Sequence, residues 1–207
     1  MSRFRGPKGK IVRRFGVNLF GNPKYDRLLA RRSRPGGGRG GGMMGRRKKS
    51  EYGLQMNEKQ KLKYAYGLRE RQFRSYYQKA QHQEGITGDN LMILLELRFD
   101  NVVYTMGLAP TRDAARQIVL HGHLKVNGRR VNIPSFHMRE GDDINVKDAA
   151  RSQNLIRQNL EESTQRPIPE WVQVNKEMLK GTVIRPPTRE EIQTIADEQR
   201  IVELYSK

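Results

Sequence analysis

Basic and imidazole side chains recur at short intervals between residues 112 and 130. Guanidinium and ammonium groups donate charge-assisted hydrogen bonds to phosphate oxygens, and imidazole rings can stack on unpaired RNA bases. Arg112 and Arg116 are four residues apart, so on a helix their side chains would project next to each other. This chemistry predicts one phosphate-facing surface, formed by Arg112, Arg116, His121, His123, Lys125, Arg129 and Arg130.

Two short helices are predicted to position the first of these groups. Asp100 is suited to cap a helix that ends near Gly107, because its carboxylate can accept hydrogen bonds from free backbone N–H groups. Thr111 is suited to cap a second helix over residues 112–121, which Gly122 would end.

A β-hairpin and a closing strand are predicted after the second helix. Residues 124–126 and 131–133 are β-prone, and Asn127 and Gly128 between them suit the positive φ angles of a type I′ turn. Residues 144–146 would form the last strand. The predicted fold is therefore α+β, with short helices and a small antiparallel sheet forming an RNA-binding domain.

The positive charge of the chain is concentrated in its first fifty residues. They contain 16 basic residues and one acidic residue, a formal charge of +15, whereas the whole chain carries +18. This segment is rich in glycine and has few core-forming residues, so by itself it should not fold in water. A polyanionic partner is expected on electrostatic grounds, and the alternative for this segment is a disordered solubility tail.

A helical domain with a basic face is predicted between the basic segment and the RNA-binding domain. Apolar residues between 57 and 80 recur near helical spacing, which predicts a helix over an aromatic core. Farther along, one helix is predicted after residue 146 and up to about residue 162, and another over residues 187–199. Residues 201–205 are predicted to be β-prone. The basic face of residues 57–80 contributes the RNA-binding candidates Lys59, Lys61, Arg69, Arg71 and Arg74.

Several classes of site are excluded by the sequence. The absence of cysteine removes disulfides and thiolate metal sites, and the spacing of the four histidines does not suggest a metal site, so we expect neither metal nor cofactor. The glycine-rich stretch lacks the Lys and Ser or Thr of a phosphate-binding loop. There is no apolar run of about eighteen residues, so membrane insertion is not expected.

Long motifs of this chain resemble the family of bacterial-type small-subunit ribosomal proteins numbered four. The resemblance runs nearly from end to end. It is carried by GPKGKIVRRFG at 6–16, SEYGLQMNEKQKLKYAYGLRERQFRSYYQKA at 50–80, FDNVVY at 99–104, HGHLKVNGRRVNIPS at 121–135 and IVELYSK at 201–207.

The resemblance implies the domain organisation and adds candidate residues. It implies a basic extension over residues 1–50, a helical domain over 51–97 that residues 166–207 complete, and an RNA-binding domain over 98–165. In the family the basic extension packs on rRNA, which adds Arg3, Arg5, Lys8, Lys10, Arg13 and Arg14 to the rRNA-binding candidates. The family also lines the side of the subunit where mRNA enters, and the matching mRNA-facing candidates in this chain are Arg46, Arg47, Lys48 and Lys49.

The resemblance also implies a role without catalysis. Members bind the five-prime domain of small-subunit 16S rRNA, nucleate assembly of the subunit body, contact proteins five and three, and influence decoding accuracy at the interface with protein five. The implied location is the small ribosomal subunit of the cytoplasm, with an organelle ribosome as the alternative. The implied protein is not a homo-oligomer in the ribosome.

Two other functions remain as alternatives. The same RNA-binding domain is appended to RNA-modifying enzymes such as pseudouridine synthases, whose catalytic Arg-Leu-Asp sequence is similar to Arg98, Phe99 and Asp100. Here this triplet lies within the predicted binding domain, and no separate catalytic domain fits in the remaining chain. A generic cationic protein is the second alternative, and it would bind duplex DNA as tightly as folded RNA.

Overall fold

The computed structural model of this chain describes residues 6–31, 50–163, 166–193 and 195–206. Within these residues, nine α-helices and one five-stranded antiparallel sheet confirm the predicted α+β fold. The helices are α1 (Lys8–Phe15), α2 (Pro23–Arg31), α3 (Glu51–Ala65), α4 (Glu70–Gln81), α5 (Thr87–Glu96), α6 (Phe99–Thr105), α7 (Arg112–His121), α8 (Ala150–Glu162) and α9 (Glu198–Tyr205). The strands are β1 (Leu124–Val126), β2 (Arg129–Arg130), β3 (Asp143–Val146), β4 (Val172–Asn175) and β5 (Lys180–Val183).

The chain divides into two compact units. The first comprises residues 1–77 and 194–207, and the second comprises residues 78–193. The first unit contains α1, α2, α3, most of α4, and α9, whereas the second contains α5 to α8 and all five strands. Within the described residues, no helix is long and apolar enough to cross a membrane.

In the first unit, the single helix predicted over residues 57–80 is two helices. The first of them, α3, begins earlier than predicted because Ser50 caps it: the Ser50 Oγ accepts a hydrogen bond from the Gly53 N–H at 3.2 Å. The chain then passes through Gly67, whose φ of +61° lies in the left-handed region that ends helices. The helix α4 therefore starts anew at Glu70.

The C-terminal segment of the first unit is helical, so the predicted strand over 201–205 is wrong. Asp197 caps α9 by accepting hydrogen bonds from the N–H groups of Gln199 and Arg200. Ile201 is fully buried, and α9 packs against α3. Tyr205, one turn after Ile201, stacks on Tyr77 with ring centroids 4.5 Å apart. Ile201 and Tyr205 are four residues apart, which is helical spacing. In so short a segment, the β-propensity of the individual residues does not reveal this spacing.

The helix predicted over residues 187–199 is also absent from the described residues before Asp197. Thr188 and Glu191 do make the expected contact, in which the Glu191 carboxylate accepts from the Thr188 N–H at 2.8 Å. The same carboxylate also accepts two hydrogen bonds from Arg185, and residues 189–191 form only a turn. Glu191 therefore fixes a turn and does not start a helix.

In the second unit, the helix predicted over residues 112–121 is confirmed as α7. The Thr111 Oγ1 accepts a hydrogen bond from the Ala114 N–H at 3.2 Å, and Gly122 ends the helix with a φ of +68°. The preceding helix, α6, begins at Phe99, and Asp100 lies in its first turn instead of capping it. The carboxylate of Asp100 instead accepts hydrogen bonds from Arg98 and Arg116.

The strand order of the sheet in the second unit is β2-β1-β3-β5-β4. The β1–β2 turn is formed as predicted, with φ angles of +49° at Asn127 and +77° at Gly128. The second strand of this hairpin is Arg129–Arg130, two residues earlier than predicted, and Ile133 is 50% exposed. The closing strand is confirmed as β3.

Two strands of the sheet were not predicted from the sequence. The strand β5 pairs with β3, and β4 pairs with β5, so residues 172–183 extend the sheet of the second unit. Residues 166–207 are predicted to complete the helical domain, but of these residues only 194–207 are grouped with the first unit, and residues 166–193 belong to the second. The core beneath this sheet includes Phe99, Val119, Ile144 and Trp171.

Candidate nucleic-acid interface

Two histidines and the start of α8 meet at the C-terminal end of α7. The Nδ1 of His123 and the Oγ of Ser152 are 2.9 Å apart, which ties the imidazole to α8 by a hydrogen bond. The Lys147 N–H donates to the carbonyl oxygen of His123 at 2.8 Å. The rings of His121 and His123 have centroids 6.0 Å apart. The segment from 121 to 123 is therefore fixed against the segment from 147 to 152.

This junction is strongly positive. Burial lowers the pKa of His123, and the positive charges of His121, Arg151 and Lys147 lower it further. Lys147 and Arg151 have exposed side chains, and neither is among the residues predicted from the sequence. No local sequence signal identifies them, because Lys147 precedes α8 and meets Arg151 only through the contacts of His123 with this segment.

The β1–β2 hairpin adds two cations to the junction. The guanidinium of Arg130 packs so closely against Gly122 that a Cβ at Gly122 would meet it at 2.6 Å from its Nη2. Lys125 lies opposite Arg130 in the ladder, so the two side chains share one face of the hairpin. The Nζ of Lys125 is 2.8 Å from the Oδ2 of the exposed Asp148.

The residues that the structure brings together here define one cationic surface. The helix α7, the hairpin, the segment after β3 and the start of α8 each contribute to it. Arg129 pairs with Val126 and lies on the other face of the hairpin, where it is exposed. The cationic surface consists of His121, His123, Lys125, Arg130, Lys147 and Arg151.

The structure corrects the expected orientation of Arg116, whose side chain is directed inward. Arg116 is buried, and its Nε and Nη2 donate to the Oδ2 of Asp100 at 2.8 and 2.6 Å. Arg112 and Arg116 are both on α7, four residues apart as predicted, but the face of α7 that carries Arg116 packs against α6. Arg112 itself donates from Nε to the Oδ1 of Asn101 at 2.8 Å and lies over the ring of Tyr104.

Asp100 is at the centre of a buried ionic network. Its carboxylate also accepts from the Nε and Nη2 of Arg98, at 3.0 and 2.8 Å, so two guanidiniums donate four hydrogen bonds to it. All three residues are buried, which makes the Asp100 carboxylate a structural acceptor. The Arg and Asp of the Arg98-Phe99-Asp100 triplet therefore have a structural role in the packing of α6 against α7.

Two lysines predicted on the basic face of the first unit are bound to carboxylates of the same unit. The Nζ of Lys59 is 2.6 Å from Glu70, and that of Lys61 is 2.7 Å from Glu58. Burial would raise the pKa of Glu70, but hydrogen bonds from Lys59 and Lys63 outweigh it, so this pKa is lowered. The remaining candidates of this face are exposed: Arg69 immediately precedes α4, and Arg71 and Arg74 lie on it.

Of the N-terminal rRNA-binding candidates, those in the described residues lie on α1. Lys10 and Arg14 are exposed, Lys8 lies 4.8 Å from the centroid of the Phe20 ring, and Arg13 donates from Nε to the Gly9 carbonyl at 3.2 Å. They give α1 a positive surface within the first unit. The other candidates lie outside the described residues: Arg3, Arg5, Arg46, Arg47, Lys48 and Lys49.

The chemistry that these arrangements support is anion binding by fixed cations. Four exposed or half-exposed cations and two imidazoles on rigid elements can donate to several phosphate oxygens at once. Across the part of the chain that the structure describes, no group of three or more His, Asp or Glu side chains is placed to hold a metal ion. The candidate interface is therefore described by charge and hydrogen bonding alone.

Comparison with known proteins assigns the family. Residues 3–96 match the family described as "Ribosomal protein S4/S9 N-terminal domain", and residues 97–144 match the "S4 domain". Proteins named "Small ribosomal subunit protein uS4" are similar over the whole chain: that of Borrelia recurrentis is 50% identical over 208 residues, covering 100% of this chain and 99% of its own. Those of Chloroherpeton thalassium and Akkermansia muciniphila are each 48% identical over 207 residues, covering 100% of both chains. The chain therefore belongs to the uS4 family of small ribosomal subunit proteins.

Proposed function

We propose that this protein is a primary rRNA-binding constituent of the small ribosomal subunit, with the five-prime domain of 16S rRNA as its target. Membership of the uS4 family supports a structural role in the subunit, and the match to the S4 domain covers α6, α7 and the β1–β2 hairpin. The observation that carries the proposal is the cationic surface, to which four segments of the second unit contribute side chains.

The proposed mechanism separates affinity from specificity. Cations that neutralise phosphates release condensed counterions, which supplies affinity that weakens as salt is added. Specificity comes from shape, because cations on rigid elements can all reach phosphates only on a backbone of matching geometry. The fixed positions of His123, against Ser152, and of Arg130, against Gly122, provide this rigidity.

The finer parts of the proposed role concern assembly and decoding. We propose that the protein binds early, nucleates assembly of the subunit body, contacts proteins five and three, and contributes to translational accuracy at the interface with protein five. The charge of +15 in residues 1–50 supports a second RNA contact, and Arg46, Arg47, Lys48 and Lys49 are the candidates for mRNA where it enters. Sequence similarity over the full length to uS4 proteins supports this assignment.

A role without catalysis is part of the proposal. The Arg98-Phe99-Asp100 triplet is similar to the catalytic sequence of RNA-modifying enzymes, and its carboxylate is that of Asp100. This carboxylate accepts four hydrogen bonds from Arg98 and Arg116. A general base needs a lone pair within reach of a substrate proton. Loss of a measurable rRNA modification in an Asp100→Ala variant that remains folded would overturn this part of the proposal.

The test of RNA recognition is a competition experiment in a salt series. The full chain is bound to the five-prime domain of small-subunit rRNA, with unrelated duplex RNA and duplex DNA as competitors. We expect binding to survive both competitors near physiological salt. Equal loss to every polyanion would reduce the protein to a generic cationic binder.

A pair of matched variants connects this binding to the cationic surface. Lys147→Ala combined with Arg151→Ala should weaken binding and reduce the salt slope by about 1.4–1.8, since each lost phosphate contact removes about 0.7–0.9. Arg157→Ala combined with Lys176→Ala removes the same charge from exposed positions outside the surface. If both pairs lower affinity and slope equally, net charge and not the cationic surface accounts for binding.

A further inference from the structure

Two titratable rings lie within the cationic surface, and the proposed role in RNA binding does not by itself explain why histidines stand there. His121 ends α7, and His123 begins the passage into β1. Their ring centroids are 6.0 Å apart, and the His123 ring is held by its hydrogen bond to Ser152. Histidine is the side chain whose charge changes most readily near neutral pH.

The charged groups around the rings come from several elements of the second unit. Arg151 lies on α8, and Lys147 follows β3. Lys125 on β1 and Arg130 on β2 complete the positive groups. Among the described residues, Asp148 supplies an acidic group to this region, where it is exposed and its Oδ2 lies 2.8 Å from the Nζ of Lys125.

In the free protein this environment disfavours a charged His123. Burial and the positive charges of His121, Arg151 and Lys147 act in the same direction and lower its pKa. The hydrogen bond to Ser152 is compatible with either charge state, because a hydroxyl can donate to a neutral ring nitrogen or accept from a protonated one. The ring therefore stays in place while its charge changes.

We propose that RNA binding at the cationic surface is coupled to proton uptake by the His121–His123 pair, so that the protein binds RNA more tightly as the pH falls. The inference rests on the proposed function and concerns the regulation of the same surface. A phosphate held by Lys147 and Arg151 brings negative charge next to both rings and offsets the repulsion between the cations. Protonation also converts both nitrogens of an imidazole into donors, which adds a hydrogen-bond donor for phosphate.

The size of the coupling follows from linkage. Whatever RNA adds to the proton affinity of the pair, protonation adds to the affinity for RNA, because coupling between two binding equilibria is reciprocal. Uptake of one proton makes the RNA affinity rise by about tenfold for each unit of pH decrease, at most, between the pKa of the free and of the bound state. The free-state pKa of His123 is below 6.5, so the relevant interval lies around and below neutral pH.

The experiment measures RNA affinity and bound protons together. The full chain is titrated with five-prime-domain rRNA between pH 5.5 and 8.0 at constant ionic strength. Calorimetry in buffers of different ionisation enthalpy counts the protons taken up on binding. We expect net proton uptake near pH 6.5, and an affinity several-fold higher at pH 6 than at pH 8.

Matched variants assign the protons to the pair. His121→Gln combined with His123→Gln removes both titrating rings, and it should abolish the uptake and flatten the pH dependence. His82→Gln combined with His137→Gln removes the other two histidines of the chain and should retain both effects. His121→Gln alone changes an exposed side chain and should lower the uptake without disturbing the fold.

The outcomes separate this inference from the function on which it rests. RNA binding without proton uptake would overturn the inference and leave the proposed function intact. Uptake that persists in the His121 and His123 double variant, or that disappears in the control pair, would also overturn it. Failure of the unchanged protein to bind this RNA at any pH would instead overturn the proposed function.

Discussion

Replacing Asp100 with asparagine tests whether the buried ionic network holds α6 against α7. The carboxylate is 4% exposed, and Arg98 and Arg116 are 1% and 9% exposed. Asparagine has nearly the same shape but no charge, and its NH₂ group would face guanidinium donors. The variant therefore leaves two buried guanidiniums without the carboxylate that accepts four of their hydrogen bonds.

The expected loss is a large fraction of the stability of a domain. Removing one partner from a buried ion pair costs about 3–5 kcal/mol, because the other charge remains buried. Two guanidiniums share this carboxylate, so the upper part of the range is expected. The free energy of unfolding of a folded domain is about 5–15 kcal/mol, and for a chain of this size about 1 kcal/mol shifts the midpoint temperature by about 2–4 °C. For a loss of about 4–5 kcal/mol, we expect the midpoint temperature to fall by about 8–20 °C.

The assay uses the fluorescence of the one tryptophan in the chain. Trp171 is 1% exposed and belongs to the same core as α6 and α7, so its emission reports unfolding of the second unit. With this emission, thermal unfolding curves of the unchanged protein and the Asp100→Asn variant give the fall in midpoint temperature, and urea titrations give the difference in free energy of unfolding.

The matched control replaces an exposed aspartate. Asp148→Asn removes a carboxylate whose side chain is 82% exposed and whose ion pair is with Lys125, and it should change the midpoint little. An Asp100→Asn variant within about 1 kcal/mol of the unchanged protein would refute the reasoning, since removal of a partner from a buried ion pair costs about 3–5 kcal/mol.

Three further predictions concern backbone conformation, pH and the basic segment. Gly122→Ala should lower the free energy of unfolding by about 1–2 kcal/mol, since φ is +68° and the new Cβ would meet Arg130; an unchanged urea midpoint would contradict this. The pKa values of His123 and His137 are lowered, mainly by burial, so the unfolded chain binds more protons below pH 6.5. The free energy of unfolding should therefore fall between pH 7 and pH 5, and replacing both rings with glutamine should flatten that dependence in urea titrations. Deleting residues 36–49 should leave a protein with a folded circular dichroism spectrum but weaker RNA binding and a shallower salt slope, by about 0.7–0.9 per lost contact, whereas an unfolded spectrum would show that the segment is structural.

Local signals made α7 and the first hairpin predictable from the sequence. Thr111 and Gly122 bound the helix through their own backbone and side-chain geometry, and Asn127 and Gly128 supply the positive φ angles of the turn. These features depend on residues within a few positions of each other. The residues at 121, 123, 125 and 130 could be predicted to share one surface for the same reason, since they lie within ten positions of each other.

Features that depend on distant partners were missed. The spacing of Arg112 and Arg116 places them on one side of α7, but which side chain is buried depends on Asp100, which lies on another helix. Lys147 and Arg151 join the surface only because of two contacts of His123. Its carbonyl oxygen accepts from the Lys147 N–H, and its ring is hydrogen-bonded to Ser152, next to Arg151. Neither relation has a local sequence signal.

The β4–β5 hairpin was missed for a related reason. Val172 and Val174 alternate with polar residues, and Asn175 accepts hydrogen bonds from the N–H groups of Glu177 and Met178 in the turn. These are genuine strand and turn signals, but each strand is only four residues long. Their place in the sheet depends on pairing with β3, more than thirty residues earlier in the chain.

The strand order also bears on how the RNA-binding domain can be separated from the rest of the chain. The match to the S4 domain ends at residue 144, within β3, whereas the sheet continues through β5 to β4. A fragment cut at 144 would lose half of β3 and expose the backbone of β1 along an unprotected edge, which invites pairing with another molecule and aggregation. A fragment of residues 78–193 retains all five strands, with the two-residue β2 at one edge and β4 at the other. The natural module for expression and folding studies is therefore longer than the stretch that sequence similarity delimits.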